Sequence, residues 1–235
     1  MSDILTVEDI HTYYGESYVL QGLSLKVASS SVVSVVGRNG MGKTTAIRSV
    51  MGFTPARRGK ILFRGEEIRG LTAFEIARRG LALVPQGRRI FPSLTVRENL
   101  AIAAGERGRK GAWNIERVLS LFPVLGKRLS NKGNQLSGGE QQMLAIARAL
   151  VSNPELILMD EPSEGLAPMV IQEVGGVIKQ LRKEGASILL AEQNLPLAMD
   201  AADYMYVINK GAMVFEGTPA ELQARPEIEQ EYLAV

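Results

Sequence analysis

The chain of 235 residues contains no cysteine. This absence excludes disulfides, thiolate metal sites and a cysteine nucleophile, and it suits a reducing compartment. Histidine is almost as scarce, because His11 is the only one in the sequence. His11 lies in an N-terminal segment of strand character, far along the chain from the motifs that carry chemistry. We therefore expect His11 to be structural or exposed rather than functional.

Strong net charge and long apolar runs are also missing. The formal net charge is only +2, so electrostatics give no case for nucleic-acid binding. No apolar run approaches the roughly 18 residues that a membrane-spanning helix needs, and the first residues lack the basic-then-apolar pattern of a signal peptide. With 46% hydrophobic and 22% charged residues, the composition predicts a soluble globular chain.

Residues 32–45 hold the clearest motif, in which a β-branched apolar run ends in a glycine-containing loop and Lys-Thr-Thr opens a helix. The spacing is that of a phosphate-binding P-loop: glycine, four residues, then Gly-Lys-Ser/Thr. Glycines let successive N–H groups point into one concavity, which a helix N-terminus makes attractive to anions. The lysine adds charge for the β- and γ-phosphates, and the first threonine can ligate Mg²⁺. The predicted phosphate site comprises Gly37, Arg38, Asn39, Gly40, Met41, Gly42, Lys43, Thr44 and Thr45.

A second apolar strand, at 156–159, ends in Asp160 and Glu161. In P-loop enzymes the strand beside the P-loop ends in an Asp that helps to hold Mg²⁺, which is the role predicted for Asp160. Glu161 would lie closer to the γ-phosphate, where it could polarise a water for in-line attack. The alternative is that both acids cap the turn at Pro162-Ser163.

Residues 136–142 read Leu-Ser-Gly-Gly-Glu-Gln-Gln and open another helix. One interpretation is a Ser N-cap with Glu140 as a capping box, which explains Ser137 and Glu140 but not the paired glycines. The other is a second phosphate cradle formed by Ser137, Gly138 and Gly139. One protomer needs one cradle for one triphosphate, so two cradles indicate a head-to-tail dimer in which each completes the other's site.

Hydrophobic periodicity predicts a single α/β domain over 1–235 with an inserted helical subdomain. The core would comprise about 1–87 and 154–235. Strand signals vanish from about 88 to 153, where helices are predicted at 96–104, 115–122 and 138–151, with a polar link at 105–111. Strands are predicted at 4–10, 18–27, 32–36, 60–63, 81–84, 156–159, 187–191, 204–208 and 212–215, and the remaining helices at 43–51, 73–79 and 168–183, with two short ones near 221 and 229.

In their order and spacing, the P-loop, the Leu-Ser-Gly-Gly-Glu-Gln-Gln stretch and Leu-Met-Asp-Glu-Pro at 158–162 resemble the ATP-binding cassette (ABC) ATPases over essentially the whole chain. The resemblance implies a P-loop NTPase fold: a RecA-like α/β core, an antiparallel β region at the N-terminus and the helical subdomain. It implies ATP and Mg²⁺ as cofactors. It also implies a dimer that binds two ATPs, each held between the P-loop of one protomer and Ser137-Gly138-Gly139 of the other.

Further roles follow from the same resemblance. Gln86, after Pro85, is similar to the Q-loop glutamine, which senses Mg²⁺ and γ-phosphate where membrane subunits dock; the alternative is a polar turn residue. Tyr14 matches the aromatic residue that stacks on adenine, with Tyr13 as the neighbouring alternative. The implied catalytic residues are Glu161, Gln193, Lys43 and Gln86, and the implied metal ligands are Thr44, Gln86 and Asp160.

Two positions depart from the family pattern. Gln193 stands where most cassettes place a histidine that contacts γ-phosphate; it can donate a hydrogen bond but cannot carry charge. Hydrolysis should therefore show no histidine-type pKa of about 6.5 from this position. Ala167 stands where the dimer-contacting loop usually has an aspartate, which puts the cross-dimer contact of that aspartate in doubt.

Four stretches, at 85–92, 136–143, 165–168 and 192–194, resemble the smaller ATPase of bacterial branched-chain amino acid importers. Relatives of that ATPase serve urea, short-chain amide and aromatic acid uptake. The implied partners are a second ABC ATPase subunit, identical or paralogous, transmembrane permease subunits and, indirectly, a periplasmic or extracellular substrate-binding protein. The implied location is the cytoplasmic face of the membrane. The contrasting class, soluble cassette proteins of DNA repair or translation, usually carries two cassettes or long coiled-coil or zinc insertions, which this sequence lacks.

Overall fold

The computed structural model describes residues 2–104 and 113–233. Within these ranges the chain forms two β-sheets and ten α-helices. The polar link predicted at 105–111 lies outside them. None of the helices described combines the length and the apolar character that a membrane crossing would require.

The smaller sheet is antiparallel and has the strand order β2-β1-β4-β5. Its long strands expose one face and bury the other, where apolar residues such as Leu5, Val7 and Leu23 meet the core. The last strand is a two-residue addition of exposed glutamates that carries no apolar signal, so the sequence did not predict it. The strands are β1 (Asp3–Tyr14), β2 (Ser17–Ala28), β4 (Arg58–Phe63) and β5 (Glu66–Glu67).

The larger sheet has six strands in the order β10-β9-β3-β8-β7-β6. All are parallel except β10, the edge strand, which runs antiparallel to β9. Its central strands are buried on both faces, as near-continuous apolar runs predict. The strands are β3 (Val32–Val36), β6 (Leu81–Val84), β7 (Leu156–Asp160), β8 (Ser187–Glu192), β9 (Tyr204–Asn209) and β10 (Ala212–Gly217).

One detail of the prediction was wrong. The strand that ends in Asp160, β7, does not lie beside the P-loop strand β3, because β8 is inserted between them. All six residues of β8 are buried, as expected for a strand in the middle of a sheet that helices cover on both faces. Order along the chain does not reveal such an insertion.

Helices cover both faces of the larger sheet. On one face, α1 joins the core shared with the antiparallel sheet, and on the other face α6 and α7 form a second core. The helices are α1 (Lys43–Val50), α2 (Ala73–Arg79), α3 (Val96–Ala103), α4 (Ile115–Leu121), α5 (Pro123–Gly126), α6 (Gly138–Val151), α7 (Pro168–Lys183), α8 (Leu195–Ala201), α9 (Pro219–Gln223) and α10 (Pro226–Ile228), with a 3-10 turn at Gly133–Gln135 and a π-helical turn at Glu229–Leu233.

Local sequence sets where several of these helices begin. In α2, α3, α6 and α9 a Thr or Ser accepts a hydrogen bond from the third helical N–H, and a Glu at that position bonds back. The described part of 88–153 is helical and contains no strand. The predicted α/β class with an antiparallel N-terminal sheet is confirmed.

Candidate functional site

Three segments predicted to carry chemistry leave the larger sheet at one edge. Because β3, β8 and β7 are parallel neighbours, their carboxyl ends lie together. Val36 is paired with Glu192, and Ala191 is paired with Asp160. The P-loop, Gln193 and Glu161 therefore start from adjacent points.

The P-loop bends tightly around its own lysine. Lys43 is 3% exposed, and its Nζ donates to the carbonyl oxygens of Gly37 at 2.7 Å and Arg38 at 2.9 Å. A Cβ on Gly37 would lie 2.6 Å from the Ile208 carbonyl oxygen, so only glycine allows this approach. Gly42 has φ +117°, a left-handed value that glycine tolerates, directly before α1. Arg38, Asn39 and Gly40 form the exposed rim of the loop, Met41 and Thr44 are partly buried, and Thr45 is buried.

Glu161 forms an ion pair with the same lysine. Its Oε1 lies 3.0 Å from Lys43 Nζ, and the Glu161 side chain is 7% exposed. Its backbone has φ +48°, in the left-handed region, and its N–H donates to the Ala191 carbonyl at 2.8 Å. Such a conformation in a non-glycine residue costs on the order of 1 kcal/mol and is typical of functional sites.

Thr44 and Asp160 form an adjoining oxygen-rich site. The Thr44 hydroxyl donates to Asp160 Oδ1 at 3.0 Å. Burial raises the pKa of Asp160 to about 6; the Thr44 hydrogen bond opposes that rise, and the charge of Glu161 adds to it. A buried carboxylate whose charged form is disfavoured gains from a nearby cation.

The donor set fits Mg²⁺, which takes oxygen ligands and is usually held by one or two protein groups together with phosphate oxygens. A cavity of about 370 Å³ is lined by Thr44, Gln86 and Asp160. Within the described ranges no three or more His, Asp or Glu side chains converge as a ready-made metal cage.

Gln86 reaches this site from the end of β6. Its Nε2 donates to Glu161 Oε2 at 3.4 Å, so both oxygens of that carboxylate have partners. The predicted Q-loop residue and the predicted general base are thus brought together.

Gln193 lies immediately beyond β8 with an exposed side chain. Its backbone N–H donates to Glu192 Oε2 at 3.0 Å. Among the residues that the structure describes, the Gln193 side chain makes no hydrogen bond. Its amide is therefore available at the edge where the P-loop and Glu161 meet.

The two neighbouring tyrosines at the end of β1 differ in what surrounds them. The Tyr13 ring stacks on Tyr18 at 4.6 Å between centroids, and the Arg57 guanidinium lies 4.4 Å from its centroid. The Tyr14 ring is 43% exposed and has no ring or cation contact within the described ranges. Of the two rings, that of Tyr14 is therefore the more accessible, and its role as the adenine contact stays a prediction. His11 lies on β1, where its ring contacts Asp9 and the Tyr18 hydroxyl.

Ser137, Gly138 and Gly139 are not brought to the P-loop, because α6 and α1 lie on opposite faces of the larger sheet. Ser137 caps α6, accepting from the Glu140 N–H at 3.2 Å. Packing explains Gly139, where a Cβ would lie 2.8 Å from Val170 Cγ1; at Gly138 the nearest atom is Arg88 Nη1 at 2.9 Å, the end of a flexible side chain that can move away. The second phosphate cradle therefore stays a prediction.

Three residues near the site were not assigned a role from the sequence. Arg88 donates to the Gly165 carbonyl at 3.3 Å, and the Gly211 N–H donates to the Met41 carbonyl at 2.9 Å. Glu192 accepts hydrogen bonds from two loops. Of these, Glu192 had a usable signal, since it is a carboxylate that ends a buried strand just as Asp160 does.

Comparison with known proteins gives a consistent result. The sequence profile of a family described as "ABC transporter" matches residues 20–164. The high-affinity branched-chain amino acid transport ATP-binding protein BraG of Pseudomonas aeruginosa is 43% identical over 98% of this chain and 99% of that protein. The lipopolysaccharide export system ATP-binding protein LptB of Haemophilus influenzae is 33% identical over 98% of this chain and 97% of the relative.

Solved structures agree at the level of the fold. A nucleotide-free ATP-binding cassette from an ABC transporter superposes with a TM-score of 0.85 at 28% identity, over 97% of both chains. The ADP conformation of another ABC transporter cassette gives a TM-score of 0.83 at 28% identity, over 98% of both chains. These likenesses extend over the helical part of the chain as well as the two sheets.

Proposed function

This chain belongs to the ABC transporter family, and we propose that it is the ATP-binding and ATP-hydrolysing subunit of an importer of branched-chain amino acids. The observation that carries the substrate class is the 43% identity with BraG along nearly the full length of both chains. LivG of Escherichia coli, also named for high-affinity branched-chain amino acid transport, is 30% identical over 98% of this chain. LptB, named for lipopolysaccharide export, is less similar than BraG.

The phosphates of ATP bind to the N–H groups of the P-loop and to Lys43. Phosphate oxygens then compete with Glu161 for the Lys43 ammonium, since the two lie 3.0 Å apart. Once released from Lys43, Glu161 accepts a proton from the attacking water. The oxygen of that water bonds to the γ-phosphorus as the bond between this phosphorus and ADP breaks. Gln86 and Gln193 supply polar contacts to the γ-phosphate and the water.

Thr44, Asp160 and Gln86 are the residues that would hold Mg²⁺. When bound, this ion neutralises charge on the β- and γ-phosphates. The Thr44–Asp160 contact of 3.0 Å and the shared cavity support this assignment.

A second cassette, identical or paralogous, completes the site with its own Ser137, Gly138 and Gly139. The separation of α6 from α1 across the sheet supports this arrangement, because the two halves cannot close on one ATP within one chain. When the two cassettes close, residues of about 88–153 and the loop at Gln86 transmit the movement to permease subunits at the cytoplasmic face of the membrane. A periplasmic or extracellular substrate-binding protein would deliver the amino acid.

The assembly can be tested by purifying the tagged chain from detergent-solubilised membranes and identifying what accompanies it. We expect permease subunits. Persistent association with ribosomes or nucleic acid would instead overturn the transporter assignment.

The substrate is tested by reconstituting that assembly, with its binding protein, in vesicles and measuring ATP-dependent uptake. Radiolabelled leucine, isoleucine and valine should enter, and Lys43→Ala should abolish entry. Uptake of urea, short-chain amides or aromatic acids in place of these amino acids would refute the substrate while leaving the ATPase role intact.

A further inference from the structure

Glu192 is a buried carboxylate to which the mechanism above gives no role. Its side chain is enclosed at the carboxyl end of β8, and the residue is 1% exposed. A buried charge of this kind is costly unless hydrogen bonds satisfy it. Glu192 is satisfied by four donors, one of them a hydroxyl and three of them backbone N–H groups.

The donors come from two loops that flank the reacting phosphate. From the loop after Glu161, the Ser163 N–H donates to Oε1 at 3.0 Å and the Ser163 hydroxyl donates to Oε2 at 2.9 Å. From the loop after β8, the N–H groups of Gln193 and Asn194 both donate to Oε2 at 3.0 Å. One carboxylate therefore joins the segment that follows the general base to the segment that presents Gln193.

The donors around Glu192 favour its ionised form, whereas burial and a neighbouring carboxylate oppose it. Burial raises the pKa of Glu192, the bonds from Asn194 and Ser163 oppose this rise, and the charge of Glu161 adds to it. An ionised carboxylate only accepts hydrogen bonds, which suits a position surrounded by donors. A neutral amide does not, because in either orientation its NH₂ group would face at least one backbone N–H.

We propose that Glu192 is a positioning residue for ATP hydrolysis, which fixes Ser163 and Gln193 relative to Glu161. This inference rests on the proposed function, because it assumes that Glu161 and Gln193 act on the γ-phosphate. The donors to Glu192 belong to Ser163, Gln193 and Asn194, so it acts through Gln193 and through the loop that follows Glu161. Displacements of about 1 Å in such groups cost up to about a hundredfold in rate.

The test is Glu192→Gln, which keeps the shape of the side chain and removes its charge. We expect kcat for ATP hydrolysis to fall about tenfold to a hundredfold, while Kd for ATP changes less than about twofold, because the P-loop is untouched. In a double-mutant cycle with Gln193→Ala, the two effects should be non-additive, because one residue acts through the other. A merely structural role would alter kcat and Kd together and would combine additively with Gln193→Ala, which would overturn the proposal.

Glu184→Gln is the matched control, since Glu184 lies just before β8 at the end opposite to Glu192 and pairs with Arg117 at the surface, where the two side chains are 30% and 42% exposed. It should leave both constants unchanged. Ser163→Ala is the second variant if Glu192→Gln does not fold; it removes only the hydroxyl donor and should lower kcat by a smaller factor at unchanged Kd. An unchanged kcat for Ser163→Ala would count against the proposal.

The same assay distinguishes a failure of the proposed function from a failure of the role proposed for Glu192. If the wild-type assembly does not hydrolyse ATP, the proposed function fails. If the wild type hydrolyses ATP, Glu161→Gln is inactive and Glu192→Gln turns over at the wild-type rate, only the role of Glu192 fails.

Discussion

Lys43 has three oxygen partners within its own chain: two P-loop carbonyls and Glu161. The carbonyls hold the ammonium in place, and the carboxylate is the partner that a phosphate can replace without unfolding the loop. In the proposed mechanism, binding of the triphosphate and release of Glu161, the predicted general base, would therefore be coupled at a single side chain. This coupling would keep Glu161 from activating water before ATP is bound.

Among the single residues, Tyr14 is predicted to stack on the adenine ring of ATP. Tyr14→Ala should weaken ATP binding by about 1 to 3 kcal/mol, the usual worth of stacking an aromatic ring on a base. Binding of GTP should weaken similarly, since stacking contacts the ring face and not the base edges. Equilibrium titration with fluorescent nucleotide analogues measures both constants.

Tyr14→Phe is the control for this prediction and should bind ATP as the wild type does. Tyr13 is already stacked between Tyr18 and Arg57. A larger loss of affinity for Tyr13→Ala than for Tyr14→Ala would show that the wrong tyrosine had been chosen.

The role of a residue could be predicted from the sequence when the residue belongs to a short motif, but not when its contacts lie far away along the chain. The P-loop residues, Asp160 and Glu161 belong to motifs in which spacing alone fixes the geometry. The contact of Arg88 with Gly165 spans 77 positions and that of Glu192 with Ser163 spans 29, so only the tertiary structure reveals them. Gly139 gained a packing reason, its contact with Val170, that no local pattern contains.

Among the elements, the long strands and the amphipathic helices were predicted, whereas the two-residue β5 and the helices α5 and α8 were not. The predicted strands of both sheets are present, and the helix predicted at 168–183 is found at Pro168–Lys183. The seven-residue α8 was not predicted, although its sequence carries helix-start signals: Asn194 caps it and Pro196 lies in its first turn. The order of strands escaped as well, since β8 separates β7 from β3.

Two glycines give opposite predictions for the stability of these elements. Gly176 lies inside α7, is exposed and has open space where a Cβ would stand. Gly176→Ala should therefore raise the free energy of unfolding by about 0.5 to 1 kcal/mol, measured by urea titration.

Gly211 is the contrasting position, in the turn between β9 and β10. Its φ is +81°, and a Cβ would lie 1.8 Å from the Val19 carbonyl oxygen. Gly211→Ala should lower the free energy of unfolding by more than about 1 kcal/mol. It should also weaken ATP binding, because the Gly211 N–H holds Met41 of the P-loop at 2.9 Å. Equal stabilities for the two variants would contradict this account of both sites.

For the whole molecule, the main consequence of the fold is that the P-loop and Ser137-Gly138-Gly139 lie on different faces of one sheet. We expect Glu161→Gln to accumulate with ATP as a nucleotide-bound dimer, because in the proposed mechanism ATP would close two cassettes and hydrolysis would reopen them. Analytical ultracentrifugation with ATP and with ADP would detect it, alone and together with a paralogous cassette. A Glu161→Gln chain that stays monomeric with ATP in both mixtures would argue against the two-chain site.

The most direct measurement is the rate of phosphate release by Glu161→Gln at saturating ATP, in the purified assembly with its membrane subunits. Removing a general base should slow turnover by about 10² to 10⁴, while ATP binding is retained because Lys43 and the P-loop are intact. The account predicts this large loss of rate with unchanged affinity. Phosphate release within a few-fold of the wild-type rate would contradict it.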